Sequence, residues 1–355
     1  MEVSSDVLTG IGLMSGTSTD GLDIIAVTFE NKFNKIQYTI HESCTIEYNE
    51  LWKSRLLNAV NLSAPDLRKL DIDFGKWMAD QVNEFKLNKN WKANFIASHG
   101  HTVFHQPDNG FTLQIGNGAE LAANTGITSI CDFRQGDISL GGQGAPLVPV
   151  GDELLFNEYT YCLNLGGFAN VSYIENGELI AYDISALNVV LNELSRRLGH
   201  EYDKAGAIAS KGKVIPSLLE RLNALKYYQQ AAPKSLGTEW VKSSINPILQ
   251  EYSNEKISDL LATMGKHFAQ QIGNQLKMEG KTLVTGGGAK NTWLINQIKG
   301  FSVSTLEVPT TNLIDNKESL IFALLGYLRL LEIPNTLSSV TGADRTISSG
   351  AVYLG

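Results

Sequence analysis

The chain has 355 residues, 43% of them hydrophobic and 19% charged, with 29 basic against 37 acidic side chains and a net charge of −8. These values describe a globular protein of about two domains. They exclude nucleic acid or an anionic membrane surface as the main partner, since either calls for a basic excess. Cys44, Cys131 and Cys162 are widely spaced and form no metal pattern, and no run approaches 18 apolar residues. A soluble, cytoplasmic protein is therefore expected.

In chain order, an apolar run from Val7 leads into Gly12, Ser15, Gly16, Thr17, Ser18, Thr19, Asp20 and Gly21, and a second run spans Leu22 to Phe29. Two such runs joined through Asp20-Gly21 predict a β-hairpin. Its small residues let backbone N–H groups and hydroxyls approach an anion closely, phosphate first among them; an ordinary Ser/Thr/Gly turn is the other reading. Residues 35–48 predict a third strand of a meander, followed by helices over 49–60 and 64–85. Asp73-Phe74-Gly75 spells a protein-kinase triplet, but no His-Arg-Asp loop accompanies it, so it reads as coincidence.

Residues 95–98 predict a buried strand running into His99, with His101 and His105 beyond it. No acidic or thiol ligand completes a zinc set, whereas a histidine at a strand's carboxyl end suits contact with a small substrate. A strand over 111–115, a helix over 117–125 and a strand over 127–131, ending at Asp132-Phe133-Arg134, signal an α/β domain. Residues 136–149, rich in glycine and proline, read as a linker that also lines a cleft.

The second half restarts the same grammar. Strands over 161–165, 171–174 and 178–183 form a second meander, with Gly166-Gly167 near its start. Helices are predicted over 186–198, 214–225 and 257–278. A strand over 282–285 enters Gly286-Gly287-Gly288 and a helix to Lys299, which predicts a nucleotide-contacting turn. It lacks the third glycine of a dinucleotide fingerprint and the Gly-Lys-Ser/Thr of a P-loop. A strand over 302–308 and an apolar helix over 318–331 follow.

Three glycine turns after strands can converge on one nucleotide between two lobes. The turns at 15–21 and 166–170 would grip phosphates, and that at 286–291 the nucleoside. The expected fold is a two-lobed actin-like ATPase (ribonuclease H-like) α/β fold, each lobe a mixed, five-stranded type of sheet flanked by helices. The expected lobes are residues 1–150 and 151–335, with a tail, 336–355, returning to the first. Phosphoryl transfer from ATP, with Mg²⁺, needs positioning and a base for the nucleophile. Asp183 closes a strand and suits that role; it reads equally well as a helix N-cap.

Gly12–Gly21 resembles the opening signature of the anhydro-N-acetylmuramic acid kinases. The similarity continues through 98–102, 132–134, 142–147, 164–167, 233–237, 285–289 and 317–319. That resemblance implies an ATP-dependent enzyme that opens a 1,6-anhydro muramic sugar with water and phosphorylates O6. Asp183 would be the base and Gly12–Thr19 the phosphate loop. His99, Arg134, Asn188 and Glu318 would belong to the amino-sugar site, Arg134 as partner of a lactyl carboxylate or of a structural ion pair. A homodimer is suggested, and the Mg²⁺ ligands stay unassigned. Where the family usually runs Asp-Thr-Gly-Pro-Gly-Asn, this chain has Asp183-Ile184-Ser185-Ala186-Leu187-Asn188, and His101 and Ala205 also depart from the pattern. Those departures keep two alternatives open: an ATP-binding regulatory relative, or a kinase for another amino sugar.

Overall fold

The structure, a computed structural model, describes residues 7–16, 19–32, 35–232 and 234–355. Among them run strands β1 (Leu8–Ser15), β2 (Gly21–Lys32), β3 (Lys35–Glu47), β4 (Phe95–Gln106), β5 (Phe111–Ile115), β6 (Thr128–Cys131), β7 (Tyr161–Leu165), β8 (Phe168–Glu175), β9 (Glu178–Ala186), β10 (Lys281–Thr285), β11 (Thr305–Glu307) and β12 (Ala351–Tyr353). They form two sheets, in two compact units: Met1–Leu155 with Asn316–Gly355, and Phe156–Asp315.

The first sheet runs β12-β6-β4-β1-β2-β3, with β5 hydrogen-bonded to β4. The pairs β1–β2 and β2–β3 are antiparallel, β1–β4 and β4–β6 parallel. The second sheet runs β11-β10-β7-β8-β9, with β7–β8 and β8–β9 antiparallel and β7–β10 and β10–β11 parallel. The five central strands of the first sheet therefore repeat, pairing for pairing, the five of the second. This is the duplicated α/β arrangement of the actin-like ATPase fold, and the first sheet exceeds the expected five strands only by β5 and β12.

Each unit has its own core. In the first, the helix Ala64–Phe85 is capped by Ser63 and buries Leu70, Phe74, Met78 and Val82 on one face at helical spacing. Phe74 stacks on Trp77 and tilts against Trp52, so the kinase-like triplet is helix packing. In the second, the helix Ile257–Gly273 lays Leu261, Met264 and Phe268 into a core built on Leu163, Val171 and Val284.

Several elements differ from expectation. β4 continues through the histidines to Gln106, because β5 folds back on it as a hairpin. The short helix Gln135–Ile138 occupies the start of the ground read as linker and cleft lining, and the helix Val148–Leu155 begins in its last two residues. The preceding glycine-rich loop belongs to the first unit: buried Asp137 accepts from Gly144 N–H (2.8 Å) and from Thr341 Oγ1 (2.7 Å). Against expected boundaries at 150 and 335, the units divide at 155/156 and 315/316, inside the helix Thr311–Leu330. Close packing explains the second division. A Cβ on Gly12 would lie 2.0 Å from Ser319 O, and one on Gly326 would lie 2.5 Å from Ala97 Cβ. No helix among the described residues is long and apolar enough to cross a membrane.

Candidate active site

In the second unit, Asp183 lies within β9 rather than at a helix start. The helix Asn188–Arg196 begins after Leu187 with no side-chain cap, which removes the N-cap reading. Ala169 pairs with Ser185 but Asn170 with Asp183, so Ile184 is an extra residue, a β-bulge. Without it Asp183 would face Val171 and the core. With it, Ile184 enters the core and Asp183 shares a face with Asn170.

The surroundings hold Asp183 firmly. Leu236 N–H donates to its Oδ2 (2.9 Å), its own N–H donates to Lys234 O (3.2 Å), and Tyr227 OH donates to its carbonyl (2.6 Å). Burial pushes its carboxyl above the ordinary value, and the Leu236 N–H pulls partly back. The non-glycine residues at 184–187 are all buried. Ser185 Oγ meets Tyr228 OH (3.2 Å), Tyr228 OH meets His267 Nε2 (2.9 Å), and His267 Nδ1 meets Asn223 Oδ1 (2.7 Å). Asn223 Oδ1 can only accept, so His267 carries its proton on Nδ1 and takes one bond on Nε2. Burial lowers its pKa to about 3, consistent with that neutral ring.

Two glycine turns meet in this unit. Asn188 Nδ2 donates to Leu165 O (3.0 Å) and Gly166 O (2.8 Å), so it clamps the turn at Gly166 and Gly167. A Cβ on Gly286 (φ +79°) would fall 2.4 Å from Asn164 Oδ1, and one on Gly288 would fall 2.8 Å from Leu165 Cβ. Gly287 faces open space. Thr285 Oγ1, just before the turn, is buried with no hydrogen-bond partner among the described residues. Such a group is costly unless a ligand satisfies it.

In the first unit, β1 ends at Ser15, whose Oγ accepts from Tyr48 OH (2.8 Å) and meets His101 Nδ1 (3.2 Å). Ser15 therefore braces the loop from inside. Gly12 is required by its approach to Ser319, a packing need. Thr19, buried at φ +55°, donates its N–H to Gly16 O (3.2 Å). Thr17 and Ser18 lie outside the described residues.

His99, Arg134 and Glu318 come together in the same unit. Arg134 Nε and Nη2 donate to His99 Nε2 (3.1 and 3.0 Å) and Nη1 to Gly144 O (2.7 Å). A guanidinium only donates, so His99 is neutral with its proton on Nδ1, 2.9 Å from Gly100 O. Burial, then the Arg134 charge, lowers the His99 pKa to about 3. The Glu318 side chain reaches solvent, yet enough protein surrounds it that desolvation raises its carboxyl; Asp23 adds to the rise, and Arg134 opposes it.

Sequence reasoning passed over Asn170 and the clamp role of Asn188. The buried Lys317–Asp152 ion pair (2.6 Å), beside Glu318 in the chain, also escaped it. The signal for Asn170 was present, since it sits six residues after Asn164 across a glycine turn, but only pairing puts it beside Asp183.

Residues 9–355 match the family model described as anhydro-N-acetylmuramic acid kinase. An anhydro-N-acetylmuramic acid kinase of Vibrio cholerae serotype O1 is 35% identical over 370 residues, covering 97% of each chain. One from Mannheimia succiniciproducens is 35% identical over 369 residues, covering 97% of this chain and 98% of its own. Among solved structures, ligand-bound xylulose kinase from Lactobacillus acidophilus is similar at TM-score 0.45 and 10% identity, over 96% of this chain and 93% of that one.

Proposed function

The chain belongs to the anhydro-N-acetylmuramic acid kinase family, and on that premise we propose that it opens 1,6-anhydro-N-acetylmuramic acid with water and phosphorylates O6 from ATP. Asp183 takes a proton from water as that water forms a bond to C1. The C1–O6 bond breaks, O6 accepts the γ-phosphoryl group, and ADP leaves. One oxygen thus serves as leaving group and nucleophile in a single bound geometry.

The observation that carries this reading is the placement of Asp183. It stands on the face of its sheet away from the core, Oδ2 fixed by Leu236 N–H, and among the described residues Oδ1 accepts no hydrogen bond. In the second unit the nucleotide fit rests on the Thr285 hydroxyl, unpartnered among the described residues, and the open cradle at Gly287, with the turn at 166–167 as a phosphate grip; in the first unit, Gly12–Thr19 is the phosphate loop that the family resemblance implies. ATP use by the family implies Mg²⁺, which would offset phosphate charge when bound with the nucleotide. Arg134, oriented by His99 and Gly144, suits the sugar's carboxylate. A cytoplasmic setting and a homodimer complete the proposal, the latter checked by sedimentation velocity.

The test is phosphate transfer from ATP to the anhydro sugar by the purified chain, with product position read by NMR. Turnover that disappears in Asp183→Asn while nucleotide still binds is the expected result. ATP binding without turnover would point to a regulatory relative. Turnover of N-acetylglucosamine alone would point to a different amino-sugar kinase.

A further inference from the structure

Asn170 is the direct cross-strand partner of Asp183, Asn164 is the partner of Asn170, and Thr285 is the partner of Asn164. Direct partners in a sheet share a face, so four polar side chains form one row across β10, β7, β8 and β9. At about 4.8 Å between strands, Asp183 stands roughly 10 Å from Asn164. Asn164 sits between the two glycine turns. Its Nδ2 lies 3.3 Å from a Cβ built on Gly166, and its Oδ1 lies 2.4 Å from one built on Gly286. The row therefore has a phosphate end and a base end, with Asn170 next to the base.

Among the described residues, the Asn170 amide makes no hydrogen bond, and it is only half-exposed. An amide kept in that position without a protein partner is available to a ligand. We propose that Asn170 is a catalytic residue that holds the attacking water against Asp183. The inference rests on the hydrolytic reaction proposed above. The water gives one hydrogen to Asp183 Oδ1, which takes it as a proton, and donates the other in a hydrogen bond to Asn170 Oδ1. That leaves a lone pair directed at C1, where the new C–O bond forms as C1–O6 breaks. The bulge at Ile184 is what permits this pairing, because it turns Asp183 toward Asn170.

Two substitutions test it. Asn170→Ala should lower kcat about 10- to 100-fold while KM for ATP stays within about twofold, the pattern of a lost transition-state contact. Asn170→Asp, nearly isosteric, puts a second carboxylate across from Asp183, so the acid limb of the kcat profile should move to higher pH. A purely structural asparagine would shift melting temperature in Asn170→Ala while leaving kcat within about threefold of wild type. An Asn170→Ala enzyme within about threefold of wild type, or an unmoved limb in Asn170→Asp, overturns the assignment. Should the alanine variant fail to fold, Asn170→Ser takes its place under the same kcat and KM criteria. A wild-type chain with no turnover sinks the proposed function and this inference together; an active wild type, a dead Asp183→Asn and an unimpaired Asn170→Ala sink only the latter.

Discussion

Leu236 donates its backbone N–H to Asp183 Oδ2 across 2.9 Å, holding one carboxylate oxygen and leaving the other without a hydrogen bond among the described residues. Burial outweighs that bond, and the Asp183 carboxyl rests above its ordinary value. Two outcomes follow. kcat/KM should rise with pH along an acid limb displaced upward from that of an ordinary aspartate. The native state binds more protons at this site than the unfolded chain, so the site's stability contribution falls as pH rises through the raised value. Asp183→Asn should therefore melt at a higher temperature than wild type at pH 7 while losing turnover, checked by calorimetry beside the transfer assay.

The triple glycine separates packing from binding. Gly287→Ala meets no atom within 4 Å and should leave the melting temperature unchanged while raising KM for ATP. Gly286→Ala combines φ +79° with a clash on Asn164, and should lose stability as well as activity. An unchanged KM in Gly287→Ala would remove this turn from the nucleotide site.

Lys317 and Asp152 form an ion pair at 2.6 Å, each side chain under a tenth exposed. Lys317→Met should cost about 3–5 kcal/mol, because a buried carboxylate loses its counter-charge. The double change Lys317→Met with Asp152→Leu should recover most of that loss in urea titrations, since two desolvation costs vanish together.

His99 and His267 are buried and neutral, each with its pKa lowered from 6.5 to about 3. Between those values the unfolded chain binds protons that the fold does not, so stability declines as pH falls below about 6.5. At pH 5 the loss is on the order of 2 kcal/mol for each ring. His267→Gln should flatten its share of the decline in denaturation midpoints measured from pH 7 to 5.

Much of this protein was legible locally. Apolar runs, Asp20-Gly21, Ser63 before the helix at 64 and glycines after strands are short-range signals, and they located both meanders and the glycine turns of the second unit. The ordered motifs likewise carried the family. What the chain alone left undecided were relations between residues far apart in sequence. His99 orients Arg134 from 35 positions away, and Asp137 reaches Thr341 across 204. A single inserted residue, Ile184, decides which face Asp183 takes. Side-chain direction in a strand depends on which partner residue stands opposite, and that pairing is settled only when the sheet has closed.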